Sequence, residues 1–181
     1  MELSALFSPL IDFVRANHAW AAPVVFLLAF FESLAFLSLL VPATAILVSI
    51  SALVGAAGVS FWPLWLAGVV GSVLGYTISY QIGVIYGERA FHVWPFRQRP
   101  SLIVSSRNFF AKYGVMAVFI GHFFGPVRAV IPVVAGVYAV PRGKFELANV
   151  AASSLWAASV LSPGFVAGGS EAVNRMLMLA K

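Results

Sequence analysis

Residues 121–136 read GHFFGPVRAVIPVVAG. Arg128 is the only Lys, Arg, Asp or Glu between positions 115 and 141, and Pro126 and Pro132 flank it. A charge held at mid-helix in hydrocarbon costs roughly 3 kcal/mol on insertion scales. Prolines remove backbone donors and clash with a continuous helix. The run therefore reads as a broken segment. Gly125 and Pro126 break it near its middle, and Pro132 disturbs it again before Ala135 and Gly136. Its flanks are both basic, Arg107 and Lys112 before it and Arg142 and Lys144 after it. Basic flanks mark the cytoplasmic side. The two halves are expected to enter and leave a membrane from that side.

The rest of the chain supports a bilayer as solvent. It has 181 residues, of which 61% are hydrophobic and 9% charged, and a mean hydropathy of +0.97. Soluble domains carry about 25% charged residues. The net charge is +5. The bases cluster between apolar runs, which suits topology signals and anionic lipid heads rather than nucleic acid. With no cysteine, disulfides, thiolate chemistry and cysteine-ligated metals are excluded.

The N-terminus lacks a basic stretch ahead of its apolar residues, so a cleaved signal peptide is not expected. Leu3, Leu6, Leu10, Phe13 and Val14 recur at helical spacing. Residues 1–19 are therefore expected to form an interfacial amphipathic segment, residues 20–169 the transmembrane domain, and residues 170–181 an interfacial tail. Within the domain, residues 20–40 are long enough to span, with Glu32 their only charge. Residues 41–58 open near Pro42. Their sixteen helical positions would rise ~24 Å against a ~30 Å core, so they either tilt across or dip and return. Residues 61–86 carry no charge, and Gly68, Gly71, Gly75 and Gly83 offer close helix packing. A basic connector with Arg89, Arg97, Arg99, Arg107 and Lys112 follows, and residues 147–169 can span once more.

PATAILV at 42–48 and PVRAVIP at 126–132 share a proline, a polar or charged residue two places on, then alanine. If one run dips from outside and the other from inside, the halves are inverted. Secondary transporters build midplane sites from such broken segments. The expected fold is all-α: a polytopic membrane protein with two re-entrant broken segments in an inverted repeat.

Glu32 and Arg128 are the lone charges of their blocks. They are expected to pair with each other or to face a substrate path. Two places beyond Pro126, Arg128 would stand where a helix begins, a good place for a phosphate. Lipid phosphate is the obvious anion here. Thr44 holds the corresponding place in the first run, and His122 adds a group that titrates near neutral pH. There is no G-x-x-x-x-G-K-[ST], H-E-x-x-H or G-x-S-x-G, and no set of metal ligands. No enzyme activity, cofactor or metal is expected.

The chain resembles the DedA membrane proteins, also described as the VTT or SNARE-associated domain family, from about residue 30 to residue 168. The resemblance rests on His122-Phe-Phe-Gly-Pro-Val-Arg128, Pro132, Ala135-Gly136, Phe145 and Asn149, with support from Glu32, Pro42 and residues 75–87. It implies two re-entrant segments in inverted relation. It also implies movement of lipids between leaflets, undecaprenyl phosphate in bacteria and phospholipids in eukaryotes, with proton dependence in some relatives. Of the family's two acids and two arginines, Glu32 matches the first acid and Arg128 the second arginine. Thr44 stands in place of the second acid and His122 in place of the first arginine, so one charged pair is exchanged for a neutral one. A further acid often found after the glycine at Gly75 is Tyr76 here.

The functional expectation is a translocase in the bacterial plasma membrane for a phosphate-headed lipid, undecaprenyl phosphate first. Glu32, Thr44, His122 and Arg128 would line its site. Membrane lipids are the expected partner, with protons or another coupling ion and a homo-oligomer as further candidates. The alternatives are a general phospholipid scramblase, a proton-coupled small-ion transporter, and a non-transporting membrane scaffold.

Overall fold

The computed structural model describes residues 16–35, 43–92 and 96–179. Pro42 and residues 1–15, expected to mark a break and an interfacial helix, lie outside the described residues. Among the described residues there is no strand. A short 3-10 turn at His18–Trp20 leads into α1, Ala21–Ser33. Then follow α2, Ala43–Ala56; α3, Phe61–Tyr86; and, beyond 3-10 turns at Gly87–His92 and Phe96–Gln98, α4, Pro100–Tyr113. The quoted run gives three short pieces: α5, Met116–Gly121; α6, Gly125–Arg128; and α7, Ile131–Val137. The last helix, α8, runs Arg142–Leu179. Gly87 and Gly114 end α3 and α4 with φ of +54° and +56°, values that a side chain would strain.

The expectation of one span over residues 20–40 is corrected, because α1 stops at Ser33 and Leu34 turns extended. Thirteen residues rise about 20 Å, too short to cross. The cause is polar and tertiary. Ser33 Oγ donates to Ser72 Oγ at 2.9 Å, and the Ala35 N–H donates to Ser79 Oγ at 2.9 Å. Hydroxyls on α3 thus meet the chain where α1 ends. α2 is also short, at 14 residues. The expected tail is helical as far as Leu179, as part of α8, which also runs through Pro163.

Contacts fix the helix directions. Phe26 and Phe30 meet α3 at Gly71, and Ser33 meets it at Gly75, so α1 runs parallel to α3. Val48 and Ala52 meet α8 at Gly164, and Ala52 and Ala56 meet it at Gly168, so α2 runs parallel to α8. α3 and α8 are antiparallel: Trp65 Nε1 donates to Ser154 O at 3.1 Å near one end, and Thr77 Oγ1 donates to Glu146 near the other. α1 and α2 therefore point in opposite directions, and α1 ends beside the middle of α3. α7 runs parallel to α3, with Arg128 beside Tyr76 and Gly136 against Tyr80, Gly83 and Val84. In these seats backbone lies on backbone. A Cβ on Gly83 or Gly136 would collide with main chain.

One interval, 81 residues, separates Phe61 from Arg142, Ser72 from Ser153 and Gly83 from Gly164. The first pair begins the long helices, the second touches across the centre, and the third seats α7 on α3 and α2 on α8. Two helical stretches, Phe61–His92 and Arg142–Ser170, are long and apolar enough to cross a membrane. Large apolar side chains face outward on many helices, Trp20, Leu27, Trp62, Ile85, Leu147 and Val166 among them. Water would penalise such a surface and hydrocarbon accepts it.

Candidate functional site

The centre of the protein is an ion pair. Glu32, on the last turn of α1, is 7% exposed, and Arg128, at the end of α6, is 5% exposed. Arg128 Nη1 lies 3.3 Å from Glu32 Oε1, and Nη2 donates to Ser33 Oγ at 3.0 Å. The Trp156 ring covers the guanidinium, 4.1 Å from its carbon. Tyr76 holds the backbone below it, its hydroxyl donating to Arg128 O at 3.1 Å. Thr44 Oγ1 donates to the same Glu32 Oε1. Burying a lone charge is costly, and breaking such a pair leaves the survivor exposed to that cost.

The pair is incompletely satisfied. Glu32 Oε2 and Arg128 Nε are buried and have no hydrogen-bond partner among the described residues. A free acceptor on the acid and a free donor on the guanidinium therefore remain at the centre. An arginine fork accepts a phosphate or carboxylate through two parallel N–H groups.

His122 is 1% exposed. Its ring lies 4.2 Å from that of Tyr76, Nε2 sits 3.0 Å from Ser72 Oγ, and Nδ1 has no partner among the described residues. From Ser72 a polar seam runs between α3 and α8. Ser153 Oγ is 3.2 Å from Ser72 Oγ and 3.3 Å from Asn149 Oδ1. Asn149 Nδ2 donates to Val73 O at 3.1 Å and to Glu146 Oε2 at 3.3 Å. Thr77 Oγ1 also donates to Glu146, and Arg142 Nε lies 3.9 Å from it.

The structure thus joins Glu32, Thr44 and Arg128 directly and places His122 one serine away. Thr44 and His122, expected as a neutral replacement for one charged pair, take different partners. The expected place of Arg128 at a helix start is corrected. It closes α6, a single turn, and its N–H is spent on Phe124 O at 2.9 Å. Pro126 and Pro132 lie in the first turns of α6 and α7. The breaks are helix starts, where a missing N–H costs nothing. Gly125 opens α6, and Gly136 is the seat of α7 on α3. Sequence reasoning missed Ser33, Ser72, Ser153, Trp156 and Glu146. The 81-residue interval between two serines on long apolar helices was the available signal.

An apolar exterior around a buried ion pair is the make-up of an integral membrane protein. The VTT domain matches residues 41–166, and the chain belongs to that family, the DedA proteins. It is similar to the inner membrane protein YabI of Escherichia coli K12, 31% identical over 159 residues, covering 87% of this chain and 62% of that one. It is also similar to the uncharacterized membrane protein BU139 of Buchnera aphidicola from Acyrthosiphon pisum, 30% identical over 88% of this chain and 62% of the relative. An uncharacterized membrane protein of Buchnera aphidicola from Schizaphis graminum is 29% identical over 88% and 63%. The chain spans a little over three fifths of the length of these relatives. No solved structure matches it. Bacterial relatives named as membrane proteins place the chain in a bacterial membrane.

Proposed function

We propose that the protein moves a phosphate-headed lipid, undecaprenyl phosphate first, between the leaflets of the plasma membrane. The observation that carries this reading is the buried Glu32–Arg128 pair, with Glu32 Oε2 and Arg128 Nε left open, at the meeting of two broken segments. In the proposed cycle the phosphate takes the open Nε–H of Arg128 and displaces Glu32 from Nη1. Glu32 then loses its partner to the incoming anion and turns toward Thr44, its other hydrogen-bond partner. Trp156 holds the guanidinium plane fixed throughout. The lipid tail stays in hydrocarbon.

In this reading α1 and α2 form a re-entrant hairpin from the outside and α5 to α7 one from the cytoplasm, in inverted relation. The helix directions support it, since α1 and α7 both run with α3 while α2 runs with α8. The basic connector around Arg99 and the turn at Lys144 then share the cytoplasmic side. Single cysteines at Arg99 and Lys144 should label from that side, and one at Gly58 from the other. Labelling of Arg99 and Lys144 from opposite sides would overturn the inverted arrangement.

The function is tested by reconstitution in liposomes. Labelled undecaprenyl phosphate should exchange between leaflets faster than phosphatidylcholine or phosphatidylglycerol, and Arg128→Gln should abolish the difference. Equal exchange of every lipid would replace this reading with a general scramblase. Unchanged exchange in folded Arg128→Gln would remove the arginine from the mechanism.

A further inference from the structure

Glu146 lies outside the central pair and is absent from the family's charged set as the resemblance gives it. Its side chain is 28% exposed, on the side of α8 that faces Thr77. The hydrogen bonds between it and Arg128 can be assigned proton by proton. Arg128 Nη2 can only donate, so Ser33 Oγ accepts from it and gives its own proton to Ser72. The Asn149 amide is oriented by three acceptors, Val73 O, Glu146 Oε2 and Thr77 Oγ1, which all take Nδ2. Its Oδ1 therefore faces Ser153, and Ser153 spends its single proton there. The proton in the Ser72–Ser153 bond must then come from Ser72. With that proton spent, Ser72 can only accept from His122 Nε2, so the histidine is the Nε2–H form. Nδ1, which has no partner among the described residues, is left as a bare lone pair. That is the cheaper of the two vacancies, because buried N–H groups without partners are the rarer.

Every bond in the series points one way: Arg128, Ser33, Ser72, Ser153, Asn149, Glu146. A guanidinium at the head and a carboxylate at the foot both favour that direction, and aligned bonds polarise one another. We propose that Glu146 is a positioning residue for Arg128, the far anchor of a one-way hydrogen-bond chain that holds the guanidinium against Ser33 and fixes His122 as the Nε2–H tautomer. No bond to Glu146 need form with substrate. Its acceptor oxygen, together with Val73 O and Thr77 Oγ1, sets which way the Asn149 amide faces, and the amide sets the direction of every hydroxyl above it. The effect on transport rests on the reading of Arg128 as the phosphate-holding group. The tautomer does not.

The test uses the full chain in lipid nanodiscs with ring-15N histidine. The three histidines are assigned with His122→Gln. Wild type should show a protonated Nε2 and a bare Nδ1 at His122. Glu146→Gln keeps an acceptor for Asn149 and should leave the ring unchanged. Glu146→Lys takes away that acceptor and leaves the amide held mainly by Val73 O, so a share of the His122 ring proton should move to Nδ1. Ser153→Ala removes the acceptor of the Ser72 proton and should produce the same switch, while Ser153→Thr should restore wild-type signals. Ser153→Ala should also slow undecaprenyl phosphate exchange about fivefold, the worth of one internal hydrogen bond. A wild-type ring protonated at Nδ1, or an unchanged ring in Ser153→Ala, would overturn the chain even if Arg128→Gln abolishes exchange. A switched tautomer with exchange indifferent to Arg128→Gln would uphold the chain and overturn the transport reading instead.

Discussion

The two broken regions hold opposite charges and are packed to different degrees. In α7, every residue from Ile131 to Gly136 is buried. In α2, Leu47, Ser51, Val54 and Gly55 are buried, while Ile46 and Val48 face outward. The arginine thus stands just before an arm, α7, that is buried from Ile131 to Gly136. The acid comes from a hairpin whose second arm has one side open. The α7 arm behaves as core, and its cost of change is one of packing. The α1–α2 region borders the surroundings, and its cost of change is concentrated at Glu32 and Ser33, where it touches the core.

The largest expected effect tests whether the regions depend on each other. Removing one member of a buried ion pair costs about 3–5 kcal/mol. Glu32→Gln and Arg128→Gln should each lower thermal stability strongly in detergent, and the double substitution should cost less than the sum of the two. Additive losses would show that the pair contributes nothing as a pair.

Packing comes next. Gly136→Val puts a side chain against the Tyr80 carbonyl and, at 2.8 Å, the Val84 nitrogen. Overpacking of about 1–3 kcal/mol is expected, with loss of monodisperse protein on size exclusion. Gly164→Val meets Val48 O and the Ser51 hydroxyl and should cost less, because the open side of α2 lets that arm move outward. Equal losses would break the contrast between an enclosed and an open region.

A smaller effect is expected at Trp156, which covers Arg128 from α8. Trp156→Phe should retain most of the exchange rate and Trp156→Leu should lose more, in keeping with about 1–2 kcal/mol for a desolvated cation over a ring. Equal rates for the two would reduce the tryptophan to filling space. The smallest effect falls on the open arm. Thr44→Val deletes the bond to Glu32 and should cost about 1 kcal/mol, read as a modest fall in melting temperature with the ion pair intact.

The second region was readable because prolines and a lone arginine announce themselves in an apolar run. Glu32 and Arg128 were legible as candidate partners for the same reason, since hydrocarbon offers a charge little else. The first break was not legible. Residues 24–40 hold no proline, and α1 ends where serines of α3, distant in sequence, receive its freed groups. The polar seam was hidden by ambiguity. A serine in an apolar helix commonly bonds to the carbonyl four residues back, as Ser49, Ser154 and Ser159 do here. Nothing local distinguishes those from Ser72 and Ser153, which turn their hydroxyls across the helix interface instead.

The Ser72–Ser153 bond has a further consequence. Two residues at equivalent places in two long helices touch each other, which is how a residue near a two-fold axis meets its own copy in a symmetric dimer. The contact has the form of a subunit interface enclosed in one polypeptide. A chain cut in the connector at Gln98 should therefore reassemble when its two fragments are expressed together, each supplying one serine to the other.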